Sequence, residues 1–326
     1  MTPRIAVLLP CYNEEAAIAQ TVAAFGAALP GATLYVYDNN SADRTVEIAA
    51  AAGAIVRRER VQGKGAVVRR MFADVDADVY VMADGDATYD AASAPAMVDR
   101  LLGEQLDMVV GCRVSQATTA YRRGHVFGNK LLTGMLARLF GRSFSDILSG
   151  YRVFSRRFVK SYPALSTGFE IETDISVHAL ELRMPVGEVE TPYFERPEGS
   201  ASKLSTYRDG WRITRTILTL YRIERPLLFF GAIGGALALL AVLLAIPLVL
   251  TYVETGLVPR FPTAIGATGL VILAALCLFS GLILDTVVRG RREVRRLAYL
   301  QLPAPAPTRA GAKENDQGAA ALRSVP

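Results

Sequence analysis

Between residues 4 and 113 the hydrophobic positions follow two alternating rhythms. Short β-branched runs (RIAVLLP, TLYVYD, AIVRRE, DVYVMAD, DMVVGCR) are separated by stretches with helical spacing (AAIAQTVAAFGAAL, RTVEIAAAA, GAVVRRMFADV, SAPAMVDRLLG). Such alternation predicts β-α-β units and a mainly parallel sheet. Ligands of such sheets sit beyond the carboxyl ends of the strands. The polar clusters fall at those ends, at Cys11 to Glu15, Asp38 to Asp43 and Asp84 to Asp90. In VMADGDATYD an apolar strand runs straight into Asp84, Asp86 and Asp90, a crowding of carboxylates that calls for a cation or a ligand.

Further along, the pattern predicts a helix near 126–140, the segment DILSGYRVF, a helix near 170–182 and a strand in VGEVETPYFER. A helix over about 205–225 carries Trp211, Arg212 and Arg215 and suits a membrane interface. Then come two uncharged runs, Leu227 to Val253 and Phe261 to Leu284. About 20 apolar residues cross a bilayer as helix, and these are apolar all round, unlike ordinary core helices. They predict two transmembrane helices. From Pro303 the chain is Pro, Ala and polar residues without periodicity, expected to be disordered.

Composition agrees with contact with lipid: 51% of the 326 residues are hydrophobic, and the mean hydropathy is +0.27. Charge orients the spans. Arg222 and Arg225 precede the first, and Arg289, Arg291, Arg292, Arg295 and Arg296 follow the second, whereas the connection holds only Glu254 and Arg260. By the positive-inside rule both ends face the cytoplasm. The apolar run IAVLLP ends at CYNEE and does not read as a signal peptide. Cys11, Cys112 and Cys277 are odd in number and widely spaced, which fits a reducing compartment and no disulfide framework. The net charge of +5 gathers near the membrane segments, and no basic and aromatic interleaving suggests nucleic acid, which is excluded as a partner. Homo-oligomerisation is compatible with these features.

Neither GxGxxG nor a P-loop follows the first strand; PCYNEE is acidic instead. Acids accept hydrogen bonds from a base or ribose and hold a divalent cation that meets phosphates, which suggests a bound nucleotide. PCYNE at 10–14, DNNSADRT at 38–45, QGKGAV at 62–67, ADGD at 83–86, GCR at 111–113, DILSGYRVF at 146–154 and ERPEGSASKL at 195–204 occur in the order typical of family-two glycosyltransferases. The chain resembles most the polyprenyl-phosphate glycosyltransferase group, which includes dolichol-phosphate mannose synthase.

The resemblance implies an α/β GT-A fold, a Rossmann-like mainly parallel sheet, followed by an interfacial helix and a transmembrane hairpin. The boundaries are a GT-A domain at 1–204, a juxtamembrane amphipathic helix at 205–225, two spans within 226–288 and a basic, disordered cytoplasmic tail at 289–326. It also implies inverting transfer of a sugar from a nucleotide-diphosphate sugar to a polyprenyl phosphate at the cytoplasmic membrane, with Mg²⁺ or Mn²⁺ as cofactor. Glu14 and Asp38 are then the nucleoside-binding acids, with Pro10 and Tyr12 shaping the wall; helix capping is their structural alternative. Lys64, between two glycines, approaches the donor, unless it is a solvated surface lysine. Asp84 and Asp86 match the DxD motif and hold the metal, unless they only shape the turn at the strand end. Arg113, Arg196, Ser202 and Lys203 match positions near the acceptor and diphosphate, where arginine grips phosphate oxygens with two donors; membrane-surface charge is their alternative. Asp90 belongs to the following loop or helix start.

Asp146 is a candidate to orient the acceptor or Arg152, and Glu172 to face the catalytic site; both also have structural readings. Glu170, Asp174 and His178 share a helix face by i, i+4 spacing, an arrangement more often structural than metal-binding. Asn39 and Asn40 stand where relatives often carry a second acid and glycine, and the Gln found after the DxD in some relatives is absent, so the donor stays open among UDP-glucose, UDP-GlcNAc, GDP-mannose and others. The rivals are a processive polysaccharide synthase and a non-enzymatic membrane scaffold. The first lacks its QxxRW motif and a hairpin large enough for a channel; the second would dispense with the DxD acids, which are present.

The arginine asymmetry makes a direct prediction. With the native cysteines replaced, Thr255→Cys should react with an impermeant thiol reagent added outside intact cells, and Ser41→Cys should not. The reverse labelling pattern would overturn the orientation.

Overall fold

A computed structural model of the chain describes residues 2–115, 134, 137–138, 141, 144–164, 171–196, 215, 218–219 and 222–306. Most of the expected helices near 126–140 and 205–225 therefore lies outside the described residues, as do Glu170, Ser202 and Lys203. The chain divides into two compact units, residues 1–210 with 295–326 and residues 211–294.

In the first unit the two rhythms become β1 (Ile5–Cys11), α1 (Ile18–Ala28), β2 (Thr33–Asp38), α2 (Thr45–Ala51), β3 (Ile55–Arg58), α3 (Lys64–Asp74), β4 (Val79–Met82), α4 (Ala94–Gly103) and β5 (Met108–Ser115). After these come β6 (Arg152–Ser155), α5 (Arg156–Ser161), α6 (Ile171–Glu181) and β7 (Val186–Tyr193). The described strands form one sheet in the order β3-β2-β1-β4-β6-β5-β7. All neighbours pair in parallel except β6, which runs antiparallel to both β4 and β5. The expected mainly parallel GT-A-like sheet is present. Nothing in the pattern signals β6: RVFS is four residues long and begins with an arginine, yet all four side chains are buried.

Burial explains the continuous apolar runs. Residues of a sheet covered on both faces need no polar alternation. One face carries Val7, Leu9, Val36, Val79, Val81 and Val153 against Ile18, Val22 and Phe25 of α1 and Met97, Val98 and Leu101 of α4. Another cluster is aromatic: Phe72 of α3 meets Phe154 at 5.6 Å between centroids, and Phe154 stacks on Phe158 of α5 at 4.8 Å. Each fully buried Leu or Phe of this kind contributes about 1.5–3 kcal/mol relative to exposure.

The second unit holds the long apolar helix α7 (Pro226–Thr255) and most of a second, α8 (Phe261–Leu300). They pack through small residues. A Cβ on Gly234 would lie 2.9 Å from the Ala274 carbonyl oxygen, and one on Gly281 3.2 Å from the Leu227 Cα. The buried positions of α8, Ala267, Ala274, Gly281 and Val288, recur every seventh residue, the seam that close antiparallel packing of helices in lipid favours. At the base of the hairpin Arg292 pairs with the buried carboxylate of Glu224 at 2.8 Å. The other side chains of α7 and α8 are largely exposed, and both helices are long and apolar enough to cross a membrane.

Helix α8 continues through residues 289–300, which composition assigned to the tail. From Arg295 onward it belongs to the first unit, where Arg295 pairs with Glu181 at 2.5 Å and Tyr299 donates to Asp107 at 2.8 Å. Asp107 also accepts from Ser155 Oγ at 2.7 Å and from Arg157 at 2.5 and 2.8 Å, and the Arg157 guanidinium lies 4.6 Å from the Tyr299 ring centre. Asp107 is fully buried. Asp107→Ala strands these donors, so it should destabilise the protein by about 3–5 kcal/mol, read as a lowered midpoint of thermal unfolding in detergent. An unchanged midpoint would dismiss this clamp as an energetic element.

Candidate functional site

β1 pairs with β2 on one side and β4 on the other, so the chain reverses its direction of travel across the sheet at β1. The crevice outside the carboxyl ends at such a reversal is where open α/β sheets bind ligands. Cys11 and Asp38 end their strands side by side in register, and Asp84 and Asp86 follow β4.

Each of the three loops contains a residue with left-handed backbone: Asn13 (φ 53°), Asn40 (φ 64°) and Ala87 (φ 57°). Asparagine tolerates this conformation, whereas Ala87 stores about 1–2 kcal/mol of strain. The loops fasten one another. Asn13 Oδ1 accepts from the Ala42 amide at 2.8 Å, and Ser41 Oγ accepts from the Asn13 amide at 2.9 Å. Asp38 Oδ1 accepts from the Ser41 amide at 3.1 Å, and Asp86 Oδ1 accepts from the Thr88 hydroxyl at 2.6 Å. Between the two DxD acids only glycine fits, because a Cβ at Gly85 would overlap the Cys11 sulfur. The Cys11 thiol is pushed well above its ordinary range, first by burial and then by Glu14, Asp84, Asp38 and Asp86. It stays protonated and inert.

Two cations from distant parts of the chain meet these acids. Lys64, the first residue of α3, places Nζ 2.5 Å from Asp84 Oδ1 and 2.5 Å from Glu172 Oε1. Burial works against its charge, but Asp84 and Glu172 outweigh it and hold the ammonium above the usual lysine range. Arg196 lies 2.7 Å from Asp86 Oδ2. Burial, and then Asp84, push the Asp86 carboxyl up from its usual value, against the opposing effects of Thr88 and Arg196. The site therefore favours positive charge beside Asp86.

Asp146 is aimed at Arg113, to which it is bound at 2.7 and 2.9 Å. Burial raises its carboxyl, and the Arg113 hydrogen bonds reverse that, leaving it below the ordinary carboxylate range. Arg152, the alternative partner, is fully buried and donates to the Ser149 and Ile147 carbonyls at 2.9 and 2.6 Å and to Ser176 Oγ at 2.9 Å. The Arg113 guanidinium also sits 5.5 Å from the Tyr193 ring centre.

Glu14 is buried, with its amide on Thr45 Oγ1 at 2.8 Å, and Asp38 is buried at the end of β2. Pro10 pairs with Tyr37 in the β1 and β2 register, and Tyr12 stands 37% exposed at the mouth. Asp90 accepts from the Ala92 amide and caps the turn before α4. Asp174 binds the Tyr162 hydroxyl at 2.8 Å, and His178 is packed between the Phe158 and Tyr162 rings, its pKa lowered to about 3 by burial. Both serve packing.

The sequence alone assigns no role at the site to Asn39, Tyr89 or Gly150. Asn39 donates to the carbonyls of Glu59 and Val61 at 3.0 and 2.8 Å and accepts from the Gly63 amide at 2.8 Å, so it moulds the loop that delivers Lys64. Gly150 donates its amide to the Tyr89 hydroxyl at 2.9 Å, and a Cβ there would lie 3.0 Å from Asp84 Oδ2 and 3.1 Å from Lys64 Nζ. The available signals were the DNN and SG segments and the aromatic in DATYD, whose partners lie twenty or more residues away.

Among the described residues no three His, Cys, Asp or Glu side chains form a metal cage. Asp84 and Asp86 alone fit a hard divalent ion of the kind held by one or two carboxylates, with its other positions taken by phosphate oxygens and water.

The model of the family "Glycosyl transferase family 2" matches residues 6–162. Glycosyltransferase AglJ of Haloferax volcanii is 32% identical over 91% of this chain and 98% of its own length. The chain belongs to glycosyl transferase family 2. Within the family, a dolichyl-phosphate hexose transferase of the same organism is 29% identical over 68% of this chain and 95% of its own. Among solved structures, glucosyl-3-phosphoglycerate synthase from Mycobacterium tuberculosis, in complex with Mn²⁺, UDP and glucosyl-3-phosphoglycerate, aligns with a TM-score of 0.53 at 25% identity. That alignment covers 67% of this chain and 79% of the synthase. The chain is thus a glycosyltransferase with a GT-A-like domain followed by two apolar helices.

Asn39→Ala removes four hydrogen bonds to the loop before α3 and should cost about 1–3 kcal/mol. The Gly63 amide should then exchange with deuterium faster than in the parent protein. Unchanged exchange there would remove Asn39 from the scaffold of the site.

Proposed function

We propose that this glycosyltransferase moves a sugar from a nucleotide-diphosphate sugar to a polyprenyl phosphate at the cytoplasmic face of the membrane. The observation that carries the reading is the paired arrangement at one sheet edge, with Asp84 on Lys64 and Asp86 on Arg196. Acids and cations interleaved in this way suit a diphosphate brought in with a divalent ion. The relative named a dolichyl-phosphate hexose transferase and the solved relative carrying Mn²⁺ and UDP support the substrate classes, and the two apolar helices support a lipid acceptor.

In this reading Glu14 and Asp38 accept hydrogen bonds from the nucleoside, with Pro10 and Tyr12 as its wall. Asp84 and Asp86 hold Mg²⁺ or Mn²⁺, which when bound offsets the charge of the diphosphate leaving group. Lys64 and Arg196 donate to phosphate oxygens. A lipid monophosphate has its second pKa near ~6, so it arrives largely deprotonated and needs positioning rather than a general base. Its oxygen attacks the anomeric carbon, the bond to the donor diphosphate breaks, and the nucleoside diphosphate leaves with the electron pair, inverting the configuration. Arg113, locked by Asp146, with Arg196, Ser202 and Lys203, receives the acceptor phosphate. Glu172 acts through Lys64.

Membranes containing the protein, supplied with undecaprenyl phosphate and each of UDP-glucose, UDP-GlcNAc and GDP-mannose, should yield a labelled lipid with one of these donors. Asp86→Asn should lower that turnover by about 10²–10³, corresponding to a loss of ~3–4 kcal/mol of transition-state stabilisation. Full activity in EDTA would contradict the metal assignment.

A further inference from the structure

The two acids that this function assigns to a metal are each engaged by one of the chain's own cations. Lys64 Nζ sits 2.5 Å from Asp84 Oδ1, and Arg196 lies 2.7 Å from Asp86 Oδ2. Asp86 Oδ1 is meanwhile committed to the Thr88 amide and hydroxyl at 3.2 and 2.6 Å. A divalent ion held by Asp84 and Asp86 would lie close to Lys64 and Arg196, and at such range the like charges repel strongly. Lys64 cannot simply swing into water, because Glu172, 8% exposed, holds its other side at 2.5 Å and Gly150 closes over it.

We propose that Lys64 and Arg196 are built-in counter-ions that couple metal binding to nucleotide binding. The inference rests on the proposed donor site. Asp84, Asp86 and Glu172 against Lys64 and Arg196 leave one net negative charge in the cluster. A divalent ion alone reverses that sign and faces two displaced cations; a diphosphate alone deepens it. Together the ion and a diphosphate with about two negative charges cancel, and the oxygens of the diphosphate replace Asp84 and Asp86 as partners of Lys64 and Arg196. The metal is therefore taken up as part of the nucleotide complex, and Lys64 and Arg196 exchange a carboxylate for a phosphate oxygen as it enters. No covalent step is involved.

The test is the affinity of the full-length protein in detergent for Mn²⁺, read from the free-ion electron paramagnetic resonance signal, without nucleotide and with UDP or GDP. The parent protein should bind Mn²⁺ weakly alone and at least about tenfold more tightly with its matching nucleotide. Lys64→Met should bind Mn²⁺ alone about tenfold more tightly than the parent, and its nucleotide enhancement should shrink accordingly. Arg196→Met, at a side chain 31% exposed and so tolerant of replacement, should do the same. Glu172→Gln, which leaves Lys64 wholly to Asp84, should shift the affinity the other way. Arg70→Met removes an equal charge farther along α3, where Arg70 pairs with Asp74, and should leave it unchanged. If Lys64→Met and Arg196→Met bind Mn²⁺ alone no more tightly than the parent, or if Arg70→Met matches them, the counter-ion role is overturned while the donor site stands. If no form binds Mn²⁺ even with either nucleotide, the metal assignment of the proposed function falls with it.

Discussion

The fold sets carboxylates along the carboxyl edge of the sheet, Asp38 at the end of β2 and Asp84 and Asp86 after β4, and much of the first unit is arranged around making that tolerable. Glu14, Asp38, Asp84 and Asp86 all act on the Cys11 thiol. Like charges so placed destabilise a folded chain unless cations answer them. Here the answer comes from far away in sequence: Lys64 at the start of α3 and Arg196 just beyond β7. Ordering those two segments is part of folding the site, so the electrostatics of the site and the closure of the domain are the same constraint.

The supporting geometry is correspondingly tight. Gly85 and Gly150 are small because a Cβ would meet the Cys11 sulfur in one case and the Asp84 and Lys64 pair in the other. Ala87 holds a left-handed backbone between Asp86 and Thr88, strain that the Asp86 to Thr88 hydrogen bonds and the buried surroundings sustain. Asn39, which looked like a departure from relatives carrying an acid, is a scaffold residue whose amide needs both donor and acceptor character. An aspartate there would lose the two donors that hold the Glu59 and Val61 carbonyls.

Much of this was legible in the chain. Alternating strand and helix rhythms located β1 to β5 and α1 to α4, because strands buried on both faces are continuous apolar runs and the intervening helices keep their own period. The acids were legible because they stand where those runs end. Hidden were β6, too short and too polar at Arg152 to register, and the ion pairs, since neither Lys64 with Glu172 nor Arg113 with Asp146 is set by local spacing. The continuation of α8 to Leu300 was hidden for a related reason. Its charged last turns read as tail until Glu181 and Asp107 are seen to receive Arg295 and Tyr299.

Family membership leaves the acceptor as the part of the account that depends most on physical argument, since the solved relative forms glucosyl-3-phosphoglycerate, from a soluble phosphate, with a similar fold. In the proposed reading, the pair of apolar helices that follows the glycosyltransferase domain in the sequence is what favours a lipid acceptor. The most direct measurement supplies one labelled donor, at fixed metal, with undecaprenyl phosphate, undecaprenol or 3-phosphoglycerate, and follows where the label goes. The account predicts label extractable into organic solvent with the lipid phosphate alone. Transfer to 3-phosphoglycerate in place of the lipid, or equal transfer to the unphosphorylated alcohol, would contradict it.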